Sequence, residues 1–343
     1  VSGGRKKPFI VPIFIPNQGC PHRCVFCEQE KITAEQKGHV DGERVVRIIK
    51  TAIKSPRFDP ALAEIAFYGG TFANLNYRTI EELLGAVSPF LKKGLFTGIR
   101  VSTRPDSLDT DKLALMKRRG VKTVELGVQS MNDDVLSQSE RGHSAQESEK
   151  AVALLKNLGF QVGVQLMPGL PGDSHAIFLS TVEKVVMLQP HMVRLYPALV
   201  IKGTALGRMY EKGEYIPLGL PEAVEICAES SRKLEDAGIP VIRIGLMSSP
   251  TLLMEGQILA GPWHTAFGFL VRSRMYRKGI ASQLPARGHL EKLGVRVRDR
   301  DVPLLRGYRN EGIQWISMVT GAEVAGVEGD PSLPPGRVEV IEK

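Results

Sequence analysis

The sequence predicts an α/β chain whose main part is a partial (β/α)6 barrel, followed by a small mixed α+β extension. Three observations carry this prediction. Short β-rich apolar runs alternate with helical stretches between residues 9 and 195. The alternation yields six strands and five helical crossovers, short of the eight of a closed barrel. After Pro197 the rhythm changes to longer helices and short runs bounded by Gly and Pro. With 343 residues, 43% of them hydrophobic, the chain can build one large domain and a smaller one.

Strands are expected near residues 9–14, 63–68, 99–103, 123–128, 162–166 and 192–195, where Val, Ile, Phe and Tyr concentrate. Helices are expected near 41–54, 77–92, 111–118, 144–158 and 174–188. Ser144 followed by Glu147 has the spacing of a capping box, and Leu154, Leu155 and Leu158 supply part of an apolar face. Beyond Pro197, residues 220–237 suggest a helix, 239–245 an added strand and 263–279 a long helix. The runs 314–320 and 337–341 look β-like. This organises the chain as a basic leader over 1–7 (Arg5, Lys6, Lys7), a barrel over 8–218 and an extension over 219–343.

Net charge is +8, and most of it is local. Between residues 271 and 300, nine basic residues (Arg272, Arg274, Arg277, Lys278, Arg287, Lys292, Arg296, Arg298 and Arg300) face only Glu291 and Asp299, a local +7. Such a segment can bind nucleic-acid phosphates or form a solvated basic face. No apolar run approaches the roughly 20 residues of a membrane span, so no membrane partner is expected.

Cys20, Cys24 and Cys27 are spaced C-x3-C-x2-C shortly after the first apolar run. Three thiolates this close can hold three corners of a cubic [4Fe–4S] cluster, and with no fourth cysteine nearby one iron is left open. An open iron can chelate the amino and carboxylate groups of a methionine. Zinc would need a fourth ligand, either His22, wedged between two cysteines, or a remote histidine such as His143. A disulfide would have to reach Cys227, far along the chain in a helical pattern. Reduced thiols suggest the cytoplasm.

In β/α barrels the chemistry sits at the C-terminal ends of the strands, and here those ends are polar. The second strand ends in Tyr68, Gly69, Gly70 and Thr71, whose glycines let backbone approach a ligand. Thr103, Arg104, Gln129 and Gln165 end later strands and can donate to ribose and carboxylate groups, or close the barrel rim. Arg141 is a candidate carboxylate clamp by its planar fork, or a surface residue. Met167 and the 169–172 turn can lie over an adenine or be packing and a plain connection. Trp263 and His264 can cover a pocket or pack.

Together the strings from Cys20 to Cys27 (with Phe26 before the last cysteine), Tyr68 to Phe72, Thr103 to Asp106, Glu125 to Ser130, Arg141 to Ser144, Met167 to Gly172 and Leu195 to Ile201 resemble the radical SAM domain of the Elongator catalytic subunit. The resemblance runs in order over about residues 10 to 218. It implies a TIM-like partial barrel, a [4Fe–4S] cluster on Cys20, Cys24 and Cys27, and S-adenosylmethionine (SAM) held by Tyr68, Gly69, Gly70, Thr71, Thr103, Arg104, Gln129, Arg141, Gln165 and Met167. It also implies reductive cleavage of SAM to a 5′-deoxyadenosyl radical, an electron donor such as ferredoxin or flavodoxin, and a tRNA uridine as substrate. The roughly 125 residues after position 218 are too few for a connecting region plus that subunit's acetyltransferase domain, so the resemblance is to its radical domain alone. Two other functions fit the same motifs: a radical SAM enzyme for a small molecule, similar to the oxygen-independent coproporphyrinogen oxidase, and a non-catalytic RNA-binding Fe–S protein.

Overall fold

Every β-rich run before residue 196 becomes a strand, because alternate side chains can be buried under helices while the others face inward. The computed structural model describes residues 8–33 and 40–343, and the leader expected over 1–7 lies outside them. In chain order come β1 (Phe9–Phe14), β2 (Ala63–Tyr68), β3 (Gly98–Thr103), β4 (Val121–Gln129), β5 (Gln161–Leu166), β6 (Met192–Leu195), the short β7 (Val200–Ile201), β8 (Val241–Ile244) and the short β9 (Ile258–Ala260). The main sheet has the order β1-β2-β3-β4-β5-β6-β8, all neighbours parallel, and curls into a half-barrel. β7 and β9 form a separate antiparallel pair. The sheet thus has seven strands where six were expected for the barrel. The extra one comes from the run 239–245, which the helix Leu220–Asp236 connects to the preceding strands in one more crossover.

The chain divides into two units, a larger one that runs to Gly219 and resumes over Lys233–Trp263, and a smaller one of Leu220–Arg232 and His264–Lys343. In the larger, Val11 and Ile13, Ile65 and Phe67, Ile99 and Val101, Val162 and Val164, and Val193 and Leu195 are buried at 2% exposure or less. Ser144 caps its helix with the reciprocal Glu147 bond expected of it. No helix among the described residues is long and apolar enough to cross a membrane.

The smaller unit holds a three-stranded mixed sheet of β10 (Lys292–Val297), β11 (Glu323–Gly329) and β12 (Val338–Glu342) in the order β11-β10-β12. Its core is Leu293, Val295, Val297, Leu305 and Ile316. The expected strand at 314–320 is instead part of the helix Glu311–Thr320. Its β-branched residues favour a strand, but Gly312, Ile316 and Thr320, four residues apart, are its buried positions, which is helical spacing. The expected helix from 263 begins at Phe267.

Six of the nine basic residues between 271 and 300 are ion-paired within this unit. Arg274 and Lys278 share Glu225, Arg277 meets Glu311 at 3.0 Å and Lys292 meets Glu323 at 2.8 Å. Arg296 reaches Glu339 at 3.5 Å and Arg298 reaches Asp301 at 3.2 Å. The local count of +7 omits acids that the fold brings in from elsewhere in the sequence.

Inside the half-barrel, β2, β3, β4 and β6 carry charged residues that pair with one another. Glu125 on β4 accepts from Arg100 Nη1 at 2.7 Å and from Arg194 Nη2 at 3.0 Å, and pairs with Arg194 Nε at 2.6 Å. Arg100 also grips Glu64 Oε2 with Nη2 and Nε at 2.7 and 3.0 Å. Arg194 donates to the hydroxyls of Tyr68 and Tyr196 at 2.9 and 3.0 Å. Burial, with the Glu125 carboxylate beside it, pushes the Tyr68 phenol above its ordinary pKa, so it stays protonated at neutral pH. Removing one partner of a buried pair leaves an uncompensated charge, which costs about 3–5 kcal/mol. Glu125→Ala should therefore lower unfolding free energy by about that amount in urea denaturation; a loss below about 1 kcal/mol would mean that solvent satisfies both arginines.

Candidate functional site

The cysteine segment is a loop laid directly on the turn that ends β2. Ile15 N donates to Tyr68 O, Asn17 N to Gly69 O and Thr71 N to Gln18 O, each at 2.8 Å. A Cβ on Gly70 would stand 2.5 Å from Gln18 O and 2.6 Å from Ile15 O. The glycine turn thus admits the backbone of the cysteine loop, and the Gly69 carbonyl accepts one bond from that loop.

The loop directs three thiols toward one cavity of about 420 Å³ at the C-terminal ends of the strands. Cys20 Sγ lies 3.2 Å from Thr71 Oγ1, and Cys24 Sγ accepts from Arg141 Nη1 at 2.9 Å. Burial, then the neighbouring Cys24 and Cys20, push the Cys27 thiol up to about 12. His22 Nε2 is 3.1 Å from the Arg141 carbonyl and 3.3 Å from Arg104 Nη1. Among the described residues no group of three His, Cys, Asp or Glu side chains is arranged to hold a single ion. All four cysteines are free thiols, and Cys227 is buried in its helix.

Tyr68, Gly69, Gly70, Thr71, Thr103 and Arg104 line the same cavity, as do Gln129, Arg141, Gln165 and Met167. Sites expected from five separate strand ends and loops are therefore gathered around one space. Their roles differ. The Arg104 fork is occupied by Asp106, with bonds of 2.9 and 2.7 Å, and by the Arg141 carbonyl, so it braces the loop. Arg141 bridges Cys24 Sγ and the Gly127 carbonyl. β4 carries a bulge between Gly127 and Gln129, leaving Gln129 at φ 69° with its amide oxygen 3.4 Å from Gln165 Nε2.

Apart from Arg194 Nε, which faces Glu125, three buried polar atoms on cavity-lining residues have no partner among the described residues: Asn17 Nδ2, Thr103 Oγ1 and Arg141 Nε. A buried group left unpaired costs on the order of 1–3 kcal/mol, so a polar ligand in the cavity would relieve all three. The donor set, three thiols beside two guanidiniums and orphaned donors, fits a thiolate-held cluster with a polar cofactor next to it. His143 is buried and its pKa pushed down to about 4 by burial and then by Arg141, but it does not line the cavity.

The other half of the cavity was not expected from the sequence. Glu125, Arg194 and Tyr196 form its floor, and Arg243 on β8 and Leu246 and Met247 beyond it form a wall. That wall is tied across to the helix Gln29–Thr33, where Ser249 and Thr251 both donate to the Lys31 carbonyl, at 2.7 and 2.6 Å. Leu252 and Trp263 pack with Leu199 and Ile201 behind it. Trp263 is thus a packing residue, and His264 stacks edge-on against Tyr308 in the smaller unit. The 169–172 turn is pinned by Asp173, which accepts from Gly169 N at 3.0 Å, and stays outside the cavity as a plain connection. The missed residues left one signal, charged side chains inside otherwise apolar strands such as Val193-Arg194-Leu195.

Residues 14–185 match the radical SAM superfamily and residues 190–277 the radical SAM C-terminal domain. The tRNA uridine(34) acetyltransferase of Methanocaldococcus infernus is 33% identical, over 80% of this chain and 59% of its own length. That of Methanocaldococcus jannaschii is 38% identical, over 65% of this chain and 49% of its own. The structure of the archaeal M. infernus Elp3 with N-terminus deletion (1–46) superposes with a TM-score of 0.61 at 24% identity, covering 79% of this chain and 63% of that one, a likeness of fold. The chain spans only about half to three-fifths of the length of these curated relatives.

The fit of Gly70 against the cysteine loop has a direct consequence. Gly70→Ala should destabilise the fold by about 1–3 kcal/mol, the usual cost of overpacking, in chemical denaturation. A change within 0.5 kcal/mol, roughly the range of a neutral surface substitution, would mean that the loop moves aside freely.

Proposed function

The chain belongs to the radical SAM superfamily, and from that premise we propose that it cleaves SAM reductively and directs the resulting radical to a uridine of tRNA. The observation that carries the proposal is the convergence of three thiols and three orphaned polar atoms on one cavity. When bound and reduced, the [4Fe–4S] cluster supplies the electron that splits SAM into methionine and a 5′-deoxyadenosyl radical, which takes a hydrogen atom from the substrate.

The protein's part is binding, orientation and exclusion of water. Cys20, Cys24 and Cys27 would hold three irons. Arg141, donating to Cys24 Sγ, would offset negative charge on that thiolate, and Arg104 and Asp106 brace the loop around it. Asn17, Thr103 and Arg141 Nε offer buried donors to polar groups of SAM, beside the Gln129–Gln165 pair. Met167 and Leu246 present apolar surface that would keep water from a reactive intermediate. An electron donor of the ferredoxin or flavodoxin class is required by this chemistry.

The tRNA part of the proposal is supported by the identity of 33 and 38% to two tRNA uridine(34) acetyltransferases. Phosphate contacts from the basic segment would rest on Arg287 and Arg300, which form no ion pair among the described residues. The proposal is confined to the radical step.

The test is anaerobic reconstitution with iron and sulfide, then dithionite and SAM, with 5′-deoxyadenosine quantified with and without bulk tRNA. We expect formation that tRNA stimulates, and loss of both bound iron and product in Cys24→Ala. Formation indifferent to tRNA would move the substrate to a small molecule. No formation in a fully iron-loaded protein would overturn the enzymatic reading.

A further inference from the structure

We infer that Arg243 reads the substrate through an oxyanion that the substrate carries. This rests on the cavity being the radical site proposed above and adds the chemical group that its far wall recognises. Placement comes first. β8 pairs with β6 through an irregular register, Val193 opposite Val241 and then Arg194 opposite Arg243, so Ile242 is the extra residue of a bulge. A regular strand would point Arg243 to the same face as the buried Val241. The bulge instead sets it beside Arg194 on the inner face, where it lines the cavity, while Ile242 is left 45% exposed.

Charge comes second. Arg100 and Arg194 are matched by Glu64 and Glu125, Arg104 by Asp106, and Arg141 faces the Cys24 thiol. Arg243 has no carboxylate within ion-pair distance among the described residues. Its Nε donates to the Gly245 carbonyl at 3.3 Å, a bond that orients the fork and leaves both terminal nitrogens for a ligand. Among the described residues Arg141 and Arg243 are the cavity-lining arginines without a carboxylate partner, and Arg141 is occupied by Cys24 Sγ and the Gly127 carbonyl, which leaves the Arg243 fork open.

Chemistry comes third. A planar guanidinium held at Nε matches two oxygens of a phosphate or carboxylate at once. β8 stands beyond β6 in the sheet, past β2, β3, β4 and β5, whose ends carry the residues expected to hold SAM. The anion it takes therefore belongs to the substrate side of the cavity: a phosphate oxygen next to the inserted nucleotide if the substrate is RNA, or a carboxylate if it is a small molecule.

The experiment is equilibrium dialysis of the reconstituted protein with SAM, using uridine, uridine 5′-monophosphate and succinate as probes. For the wild type, the monophosphate should bind about tenfold more tightly than uridine, the scale of a hydrogen bond to a charged group. Arg243→Gln should erase that preference and Arg243→Lys should keep part of it, with thermal melting confirming that each variant is folded. If Arg243→Gln does not fold, Arg243→Lys carries the test through a reduced preference. Binding of succinate but not of the monophosphate, lost in Arg243→Gln, would uphold the anion site while removing the tRNA reading. Equal binding of uridine and its monophosphate with no binding of succinate, or a preference that survives Arg243→Gln, would overturn the inference.

Discussion

Glu125 holds the inside of the half-barrel open. A carboxylate buried among apolar strands would be costly by itself, and two guanidiniums from β3 and β6 make it tolerable. With those three charges in place, the interior cannot be filled by the layers of branched aliphatic side chains that close a complete (β/α)8 barrel. Arg100 draws in Glu64 from β2, and Arg194 draws in Tyr68 and Tyr196. The polar floor thus ties β2, β3, β4 and β6 together and leaves a cavity above it. The apolar half of each strand does the ordinary work of a core on the opposite face, under the helices.

Above that floor, geometry is set more by backbone than by side chains. The cysteine loop reaches its position through three backbone bonds to the β2 turn, and Gly70 is the residue that lets it come that near. Bulges do the aiming elsewhere. On β4 one brings Gln129 toward Gln165, and on β8 one turns Arg243 inward. Each inserts a residue where regular alternation would have buried or exposed the wrong side chain. The cofactor side and the far wall of the cavity are built by the same device.

The smaller unit shows how far charge read along a chain can differ from charge on a fold. Glu225, Glu311, Glu323 and Glu339 lie outside or at the margins of the basic stretch in sequence, yet they neutralise much of it in space. Any role of this unit toward an anionic partner therefore depends on the few arginines left unpaired, not on the composition of the segment. The same lesson in reverse applies to Arg243, a single arginine unremarkable in composition whose charge stands out only because Arg100, Arg104 and Arg194 around the same cavity are matched by carboxylates.

The alternation of strands and helices, the capping of the helix after Ser144 and the cysteine spacing were legible in the chain alone, because each depends on residues a few positions apart. The sequence also marked the polar strand ends that meet at the cavity, since polar groups ending apolar runs are a local signal. Tertiary structure decided the rest. The seventh strand lies past the point where the sequence rhythm changes, and residues 314–320 were turned from β-branched strand formers into a helix by burial of Gly312, Ile316 and Thr320 on one side. Arg104 became a brace rather than a free donor once Asp106 took its fork. Glu125, Arg194 and Arg243 became the floor and wall of a site only when curling of the sheet and a one-residue bulge brought them inside, since partner, register and burial are properties of residues distant in the chain.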